Sequence, residues 1–294
     1  MPEKIALLKS GLDKTSRRNI DLYLNRMLYL PDRDLRHFYK LSKEYVNSLY
    51  TEEEKRFLKL REEELIQYKN NFYLPFDAYA PDVFTFHHGL RFSSNKIKEY
   101  VKNKDFIDGG AWIGDSTLIF NHYYKPQKVY AFELSPNNLP LFQTVMDKNS
   151  ISKDKYQLIP MGLGDKNEKI YFDDIGGLGV TALWKGNVEA ELIDLDSFVN
   201  DKNLNVGIIK ADLEGYGLKA LKGMADTIKK YRPVLSLAIY HSTKEFFEMK
   251  PLLEQIVKDK DYKITIKQFH VFIENLTEIT IFAYPSELDE TDEA

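Results

Sequence analysis

A glycine-rich loop between an apolar segment and a helix-like segment constrains the fold of this chain more than any other feature. The loop runs from Asp108 to Asp115 as D-G-G-A-W-I-G-D, after the apolar run KDFI and before the segment STLIF. Glycine lets the backbone approach a ligand closely, and a helix N-terminus presents free N–H groups to an anion. Glu133 directly follows the run KVYAF, 24 residues after Gly109, and its carboxylate could accept both hydroxyl hydrogens of an adenosine ribose. The loop and the acid predict a nucleoside-cofactor site.

The spacing of the glycines distinguishes two classes of cofactor. Dinucleotide sites use G-x-G-x-x-G, whose second glycine makes room for a pyrophosphate. Here the run is G-G-A-W-I-G and it follows Asp108. A carboxylate at that position would repel a pyrophosphate, but it could accept a hydrogen bond from the charged amino group of a methionine moiety. The loop therefore favours S-adenosylmethionine over NAD, and a strand–turn–helix junction without a ligand is the remaining alternative.

From about residue 98 onward, short apolar runs alternate with helical segments. Alternation of this kind indicates an α/β fold with a mostly parallel sheet that is covered on both faces. Two later segments, YKITIKQFHVF and LTEITIFAYP, predict a terminal antiparallel hairpin at the sheet edge. The runs that we interpret as the other strands are KDFIDGG, QKVYAFEL, YQLIPMGL, VGIIKADL and RPVLSLAIY.

The chain before residue 98 has a different pattern. Residues 1–70 carry apolar side chains at helical spacing, and Thr51 and Glu54 fit a capping box. Residues 71–97 are rich in aromatic residues and contain two prolines. We predict a helical N-terminal cap or extension at 1–70, an aromatic-rich linker or lid at 71–97, the α/β domain at 98–285 and an acidic tail at 286–294.

Composition argues against several classes of protein. The net charge of −4 disfavours general nucleic-acid binding, and the absence of cysteine excludes disulfides and thiolate metal sites. No apolar run approaches the roughly 18–20 residues of a membrane helix. The N-terminus MPEKIALLKSGLDK does not resemble a signal peptide. We expect a cytoplasmic protein with a small-molecule or glycan substrate, and possible self-association through the N-terminal helices.

Six segments, in order along the chain, resemble the FkbM family of methyltransferases over roughly residues 98–245. The most specific is Lys210-Ala211-Asp212-Leu213-Glu214-Gly215, which is similar to the family's Lys-x-Asp-x-Glu-Gly signature. The resemblance implies a class I Rossmann-like methyltransferase fold with a seven-stranded sheet, S-adenosylmethionine as cofactor and, typically, methylation of a hydroxyl on a sugar or natural product. The segments are FIDGGAWIGDS, VYAFELSPNN, LIPMGLGDKNEKIYF, LIDLDSF, IIKADLEGYGLKALKGM and RPVLSLAIYH.

The resemblance also implies which residues bind the cofactor. The glycine loop would line the methionine end and Glu133 would bind the ribose. Asp165, in the run GLGD, stands where related enzymes often contact adenine. The predicted cofactor-binding residues are Asp108, Gly109, Gly110, Gly114, Asp115, Glu133, Leu134, Gly162 and Asp165.

Methyl transfer to a hydroxyl requires alignment of nucleophile, methyl and sulfur, and removal of a proton. Asp212 and Glu214 follow an apolar run and should lie at the carboxyl edge of the sheet, beside the cofactor. Asp212 is the first candidate for contact with the substrate, although pairing with Lys210 is a structural alternative; Glu214 could simply cap a helix. The family usually has an acid after its fifth strand, where this chain has Ala238-Ile239-Tyr240-His241 instead, and this departure leaves the roles of Tyr240 and His241 open. The candidate catalytic residues are Lys210, Asp212, Glu214 and His241, with His241 as a possible general base.

Other candidates are weaker. At most one of the adjacent His87 and His88 should face the pocket. Asp212 and His241 could bind magnesium, but the sequence fixes no third ligand, and we predict no metal. The aromatic residues at 68–92 could form a lid that stacks on a sugar, or could pack the linker against the core. The glycines at 176–179, followed by Trp184, could cover the substrate or form a plain turn.

These observations predict an S-adenosylmethionine-dependent O-methyltransferase, of the EC 2.1.1 type, that acts on a hydroxyl of a sugar, glycan or related natural product. A nucleotide- or NAD-binding oxidoreductase is a second hypothesis, which the loop spacing disfavours. A non-catalytic binding protein that has kept the fold is a third. RNA methylation is disfavoured by the net charge.

Overall fold

The structure is a computed structural model that describes residues 1–29, 48–174, 186–269 and 278–289. The predicted loop at 176–179, Trp184 and the last five residues of the acidic tail lie outside these ranges, as does part of the predicted N-terminal helical region.

The strands form two sheets. A seven-stranded sheet has the order β3-β2-β1-β7-β8-β10-β9, and a three-stranded sheet has the order β4-β6-β5. The strands are β1 (Asp105–Gly109), β2 (Val129–Phe132), β3 (Tyr156–Ile159), β4 (Gly162–Gly164), β5 (Glu168–Phe172), β6 (Val188–Asp194), β7 (Val206–Ala211), β8 (Val234–Ala238), β9 (Tyr262–Lys267) and β10 (Thr280–Pro285).

Helices precede the large sheet and connect its strands. Between the fourth and fifth of them lies a short 3₁₀ turn at His87–Gly89, and another follows β10 at Ser286–Leu288. The helices are α1 (Pro2–Lys9), α2 (Lys14–Tyr29), α3 (Glu52–Asn71), α4 (Pro81–Phe84), α5 (Asn95–Val101), α6 (Asp115–Tyr124), α7 (Asn138–Lys148), α8 (Leu195–Lys202), α9 (Gly217–Gly223), α10 (Ala225–Tyr231) and α11 (Thr243–Ile256).

The large sheet confirms the predicted α/β class I fold. Strands β3, β2, β1, β7 and β8 run parallel, whereas β10 is antiparallel to both of its neighbours, β8 and β9. The terminal antiparallel hairpin is therefore present at the sheet edge. The direction in which successive strands are added reverses beside β1, and open α/β sheets bind ligands at such a point, beyond the carboxyl ends of the strands.

One predicted strand is divided in the structure. The run YQLIPMGL forms β3 and β4, which belong to different sheets. Pro160 lies between them, and proline cannot donate a backbone hydrogen bond within a sheet. The second half of the run therefore pairs with β6, where Gly162 lies opposite Leu192.

The first two helices share a core with the sheet. Leu8 and Ile20 are fully buried in the cluster that also contains residues of α11 and β9. Two polar side chains of α2 bind the backbone of Ile266 on the outer strand β9. The Ile266 amide donates to Oγ of Ser16 at 2.9 Å, and Nδ2 of Asn19 donates to its carbonyl at 2.8 Å.

The third helix begins as the sequence predicts. The Thr51 hydroxyl accepts a hydrogen bond from the Glu54 amide, and the Glu54 carboxylate accepts one from the Thr51 amide. These reciprocal bonds are the predicted capping box. Among the described residues, no helix has the length and apolar character needed to cross a membrane.

Most of the aromatic side chains that could have formed a lid are buried. Arg91 binds Glu64 of α3, which ties the end of this segment to the helix before it. The packing alternative is therefore the one observed for Tyr68, Phe72, Tyr79, Phe84 and Phe86, whereas Tyr73, Phe76 and Phe92 are exposed.

Candidate functional site

A cavity of about 300 Å³ lies at the carboxyl ends of β1, β2 and β7. This is the place that the sheet topology indicates for a ligand. Predicted site residues that line it are Gly110, Asp115, Glu133, Leu134, Gly162, Lys210, Asp212 and Glu214.

The glycine loop lies against the end of β7. Gly110 has φ +71°, and a Cβ added there would lie 1.9 Å from the carbonyl oxygen of Asp212. The Asp212 amide in turn donates to the Gly109 carbonyl at 3.0 Å. Gly114 has φ +87° and precedes α6. Only glycine permits this approach at position 110, because the backbone conformation and the missing side chain are both required.

Glu133 fastens this loop to the sheet. Its Oε2 accepts a hydrogen bond from the Trp112 amide at 2.8 Å, and its Oε1 accepts from the Ser135 amide at 2.8 Å and from Asn138 Nδ2 at 3.2 Å. Burial raises the pKa of Glu133, although these three donors act in the opposite direction. A carboxylate has about four acceptor sites. One of them, on Oε2, is therefore left for a ligand hydroxyl, rather than the two considered from the sequence.

Asp108 lies beneath the loop rather than in the cavity. Its Oδ1 is 3.1 Å from Nζ of Lys210, and its Oδ2 accepts from the Thr117 hydroxyl at 2.7 Å. Nζ of Lys210 also donates to the Gly110 carbonyl at 2.6 Å. Burial disfavours the charge on Lys210, but nearby carboxylates, first Asp108, outweigh it and raise its pKa. Lys210 therefore pairs with Asp108, and the charge of Asp212, the partner that the sequence suggested, acts on it in second place.

Asp115 is a buried acid on the cavity wall. Burial raises its pKa to about 7, although Lys210 acts in the opposite direction. Its Oδ1 accepts a hydrogen bond from the Ser116 amide at 2.8 Å. Near neutral pH the Asp115 carboxyl group can therefore exist with or without its proton. Asp115 lines the cavity, whereas Asp108 does not.

Three carboxylates surround His241. Its Nε2 lies 3.0 Å from Oδ1 of Asp212 and 3.6 Å from Oε2 of Glu214, and its Nδ1 lies 3.6 Å from Oε2 of Glu245. Burial disfavours the imidazolium, but the charges of these acids, first Asp212, raise the pKa of His241 to about 12. The general-base role requires the neutral imidazole at neutral pH, and this environment opposes it.

Tyr240 extends this cluster toward the cavity. Its hydroxyl donates to Oδ2 of Asp212 at 3.2 Å, and its ring lies 4.2 Å from that of His241. Asp212, Glu214 and Tyr240 all line the cavity. One ligand atom each from Asp212, Glu214 and His241 lies within 4.8 Å of the others, so these residues could hold a metal ion.

The two adjacent histidines have different surroundings. His88 lines the cavity, and its Nε2 is 2.8 Å from the Ser116 hydroxyl. Nδ1 of His87 instead lies 2.7 Å from the Tyr124 hydroxyl. Both have positive φ angles, so they diverge because of a left-handed turn and not because the chain is extended. Burial lowers the pKa of His88 to about 4, which favours its neutral form.

Several predicted residues do not line the cavity. Gly109 and Gly114 shape the loop behind it, and Asp165 follows β4 with an exposed side chain. Sequence reasoning also missed two residues that contact Glu133. Asn138 follows it in the polar run Ser-Pro-Asn-Asn, which is a usable signal, whereas nothing in the sequence indicated that the Trp112 amide would bind the carboxylate.

Comparisons with known proteins agree with this architecture. The model of the methyltransferase FkbM domain matches residues 108–264. The crystal structure of Methyltransferase FkbM from Methylobacillus flagellatus KT is 21% identical, with 90% of this chain and 59% of that chain covered and a TM-score of 0.50. This chain therefore spans less than two thirds of that relative, and the likeness shows the fold alone.

Two other solved structures are similar at lower scores. An rRNA methylase from Streptococcus thermophilus is 14% identical, with 71% of this chain and 98% of that chain covered and a TM-score of 0.44. A Streptococcus mutans protein described as a methyltransferase, in complex with SAH, is 15% identical, with coverages of 65% and 93% and a TM-score of 0.40. The search of curated proteins finds no match.

Proposed function

The chain belongs to the FkbM family of methyltransferases, and from this membership we propose that it transfers a methyl group from S-adenosylmethionine to a hydroxyl of a sugar, glycan or related small molecule. The family match spans more than half of the 294 residues and includes the glycine loop, Glu133 and Asp212. The observation that carries the proposal is that Glu133 and Asp212 line the same cavity. Glu133, which can bind a ribose hydroxyl, and Asp212, which can accept a proton, therefore face the same cavity.

The proposed cofactor end of the cavity lies around Glu133. Its Oε2 keeps one acceptor site, which suits a ribose hydroxyl. Leu134, Leu163 and Leu192 provide an apolar wall that suits an adenine ring. Asp115 is the buried acid available to the charged amino group of the methionine moiety, because Asp108 is occupied by Lys210.

The proposed acceptor end lies around Asp212. S-adenosylmethionine supplies a methyl carbon bonded to a cationic sulfur, so its leaving group is a neutral thioether. With both bound, the acceptor oxygen would form the new C–O bond, the C–S bond would break with its electron pair remaining on sulfur, and the hydroxyl proton would pass to Asp212. Tyr240 holds that carboxylate in place through its hydrogen bond to Oδ2.

Aromatic side chains at the cavity support a sugar as acceptor. Trp112, Tyr216 and Tyr240 line it, and the exposed ring of Phe76 lies 5.4 Å from that of Trp112. Flat apolar rings with polar groups beside them suit the mixed surface of a pyranose.

The test is incubation of the full-length protein with labelled S-adenosylmethionine and separate pools of saccharides and glycans, small metabolites, RNA and protein. We expect label in the saccharide or glycan pool. Asp212→Asn should lower turnover by about 10²-fold or more, the scale of general base catalysis, with cofactor affinity almost unchanged. Glu189→Gln, at an exposed acid on β6 outside the cavity, is the matched control.

Each contrary result has a distinct meaning. Label that enters only RNA or protein would contradict the sugar acceptor and leave methyl transfer in place. Normal turnover in Asp212→Asn would contradict its role as proton acceptor. Binding of NADH without binding of S-adenosylmethionine would contradict the whole proposal and favour an oxidoreductase.

A further inference from the structure

We propose that Asp212, Glu214 and His241 form a binding site for a divalent cation of the Mg²⁺ or Mn²⁺ type at the edge of the cavity. The use of this site rests on the proposed function, because the cation would bind the acceptor hydroxyl. The site itself is inferred from these three side chains and their surroundings. The sequence had suggested two ligands, Asp212 and His241, and the structure brings Glu214 to them as a third.

The distances fit ligands of a small cation. Nε2 of His241 lies 3.0 Å from Oδ1 of Asp212. Adjacent ligands on an octahedral ion, each about 2.1 Å from the metal, are separated by about 3 Å. Oε2 of Glu214 is 3.6 Å from the same nitrogen, and this side chain is partly exposed, so a small rotation would complete the set.

The nitrogen of His241 provides an independent indication of a ligand. The side chain is only 8% exposed, and the contact of Nε2 with Oδ1 of Asp212 at 3.0 Å is an ion pair that lacks the alignment of a hydrogen bond. Buried polar atoms in folded proteins almost always have a hydrogen-bond partner, and an exception calls for an ion or a water molecule. A cation between Nε2 and the two carboxylates would satisfy this atom. The cation would replace the proton on Nε2, because metals bind the neutral imidazole.

A third carboxylate faces the other side of the ring, at a distance longer than a hydrogen bond. Oε2 of Glu245 faces Nδ1 of His241 at 3.6 Å, and its Oε1 accepts from the Gly217 amide at 2.7 Å. Glu245 is buried at the start of α11, where its position is fixed. A carboxylate behind the second nitrogen of a histidine orients the ring and strengthens it as a ligand. With a cation bound at Nε2, a closer approach of Oε2 to Nδ1 would make Glu245 a positioning residue that directs Nε2 toward Asp212 and Glu214.

The donor atoms indicate the class of metal and its use. Two carboxylates and one imidazole, in a chain without cysteine, suit hard or borderline divalent ions. Three protein ligands leave coordination positions for water and for an acceptor oxygen. Because Asp212 and Glu214 also line the cavity, a bound cation would border the acceptor. Its charge would favour loss of the hydroxyl proton, which Oδ2 of Asp212 would accept while Oδ1 binds the cation.

The test is Mn²⁺ binding to the full-length protein alone, measured by electron paramagnetic resonance and calorimetry. We expect one ion per chain. Glu214→Gln and His241→Ala should each weaken binding by at least about 10-fold, and Glu245→Gln should weaken it by about 10–100-fold. Glu189→Gln, at an exposed acid on β6 outside the cavity, should bind Mn²⁺ as the wild type does.

The outcomes separate this proposal from the proposed function. No saturable binding up to about 1 mM Mn²⁺, the weak end of biological sites, would overturn the cation site. Equal binding by Glu214→Gln would overturn it as well, because this side chain is partly exposed and its replacement leaves the core intact. Because cofactor and acceptor are absent from the assay, neither result bears on methyl transfer. Mn²⁺ binding in a protein that methylates no saccharide would instead contradict only the proposed acceptor.

Discussion

Nζ of Lys210 lies 3.1 Å from Oδ1 of Asp108, and the two side chains expose 6% and 0% of their surface. The pair joins β7 to β1 directly beneath the glycine loop, and Lys210 also binds the loop through the Gly110 carbonyl. A buried pair of this kind gains little over apolar side chains of the same size, but loss of one partner leaves a charge buried and uncompensated.

Lys210→Met should therefore destabilise the protein by about 3–5 kcal/mol. The measurement is the free energy of unfolding from urea denaturation at pH 7. The double variant Lys210→Met with Asp108→Asn should lose less than the sum of the two single variants, because it removes both charges. Additive losses would show that the two side chains are not coupled.

Glu133→Ala should weaken S-adenosylmethionine binding by about 1–3 kcal/mol, because the loop loses its anchor and the ribose loses a charged acceptor. Calorimetry with the purified protein measures this. Glu191→Ala, at an exposed acid of β6 that does not line the cavity, is the control and should bind normally. An unchanged affinity of the Glu133→Ala variant for S-adenosylmethionine would contradict the proposed contact between Glu133 and the ribose.

Gly110→Ala should lower the free energy of unfolding by about 3 kcal/mol or more, because an added Cβ would clash with the Asp212 carbonyl oxygen and the backbone conformation is left-handed. Gly11→Ala is a closely matched control. Gly11 has the same φ of +71°, but the nearest atom to an added Cβ is 3.9 Å away. The Gly11→Ala variant should lose only about 1–2 kcal/mol of unfolding free energy, the cost of a left-handed backbone at alanine. Equal losses of stability in the two variants would show that position 110 has room for a Cβ beside the Asp212 carbonyl.

His87 should make the protein less stable in acid. Burial, with a smaller effect of Arg91 and His88, lowers its pKa from 6.5 to about 3, against the opposing charge of Glu64. Between these values the unfolded chain binds a proton that the folded protein does not, so stability falls as the pH drops below 6.5. The slope from this group is at most about 1.4 kcal/mol per pH unit.

Denaturation at several pH values between 7 and 4.5 measures the effect. His87→Gln should be less stable at pH 7, because it loses the bond to Tyr124, but its stability should depend less on pH. A pH profile parallel to that of the wild type would assign the acid sensitivity to other groups.

The predictable parts of the fold and site were local in sequence. The glycine loop, Glu133 and the apolar runs lie within short segments, and strand–helix alternation then fixes which strand ends meet. The surroundings of His241 could not be predicted in this way. They combine the end of β7, the end of β8 and the first turn of α11, and Glu245 enters only because that helix packs beside α9.

Contacts between residues far apart in the sequence also explain two other features that could not be predicted. The pattern of α2 shows a helix but not its partner, because Ser16 and Asn19 bind Ile266, about 250 residues later. Asp108 was expected at the cofactor because the motif places it beside the loop. Its actual partner, Lys210, is 102 residues away and comes from the neighbouring strand.

The hydrogen bonds of Ser16 and Asn19 have a consequence for solubility. Strand β9 ends the large sheet, and such a border would leave backbone groups open to a strand from another molecule. At Ile266 both groups are already taken by α2. Helix α2 therefore covers the edge of the sheet at Ile266 in addition to packing in the core, and we expect a chain without α2 to expose backbone groups that can pair with another copy.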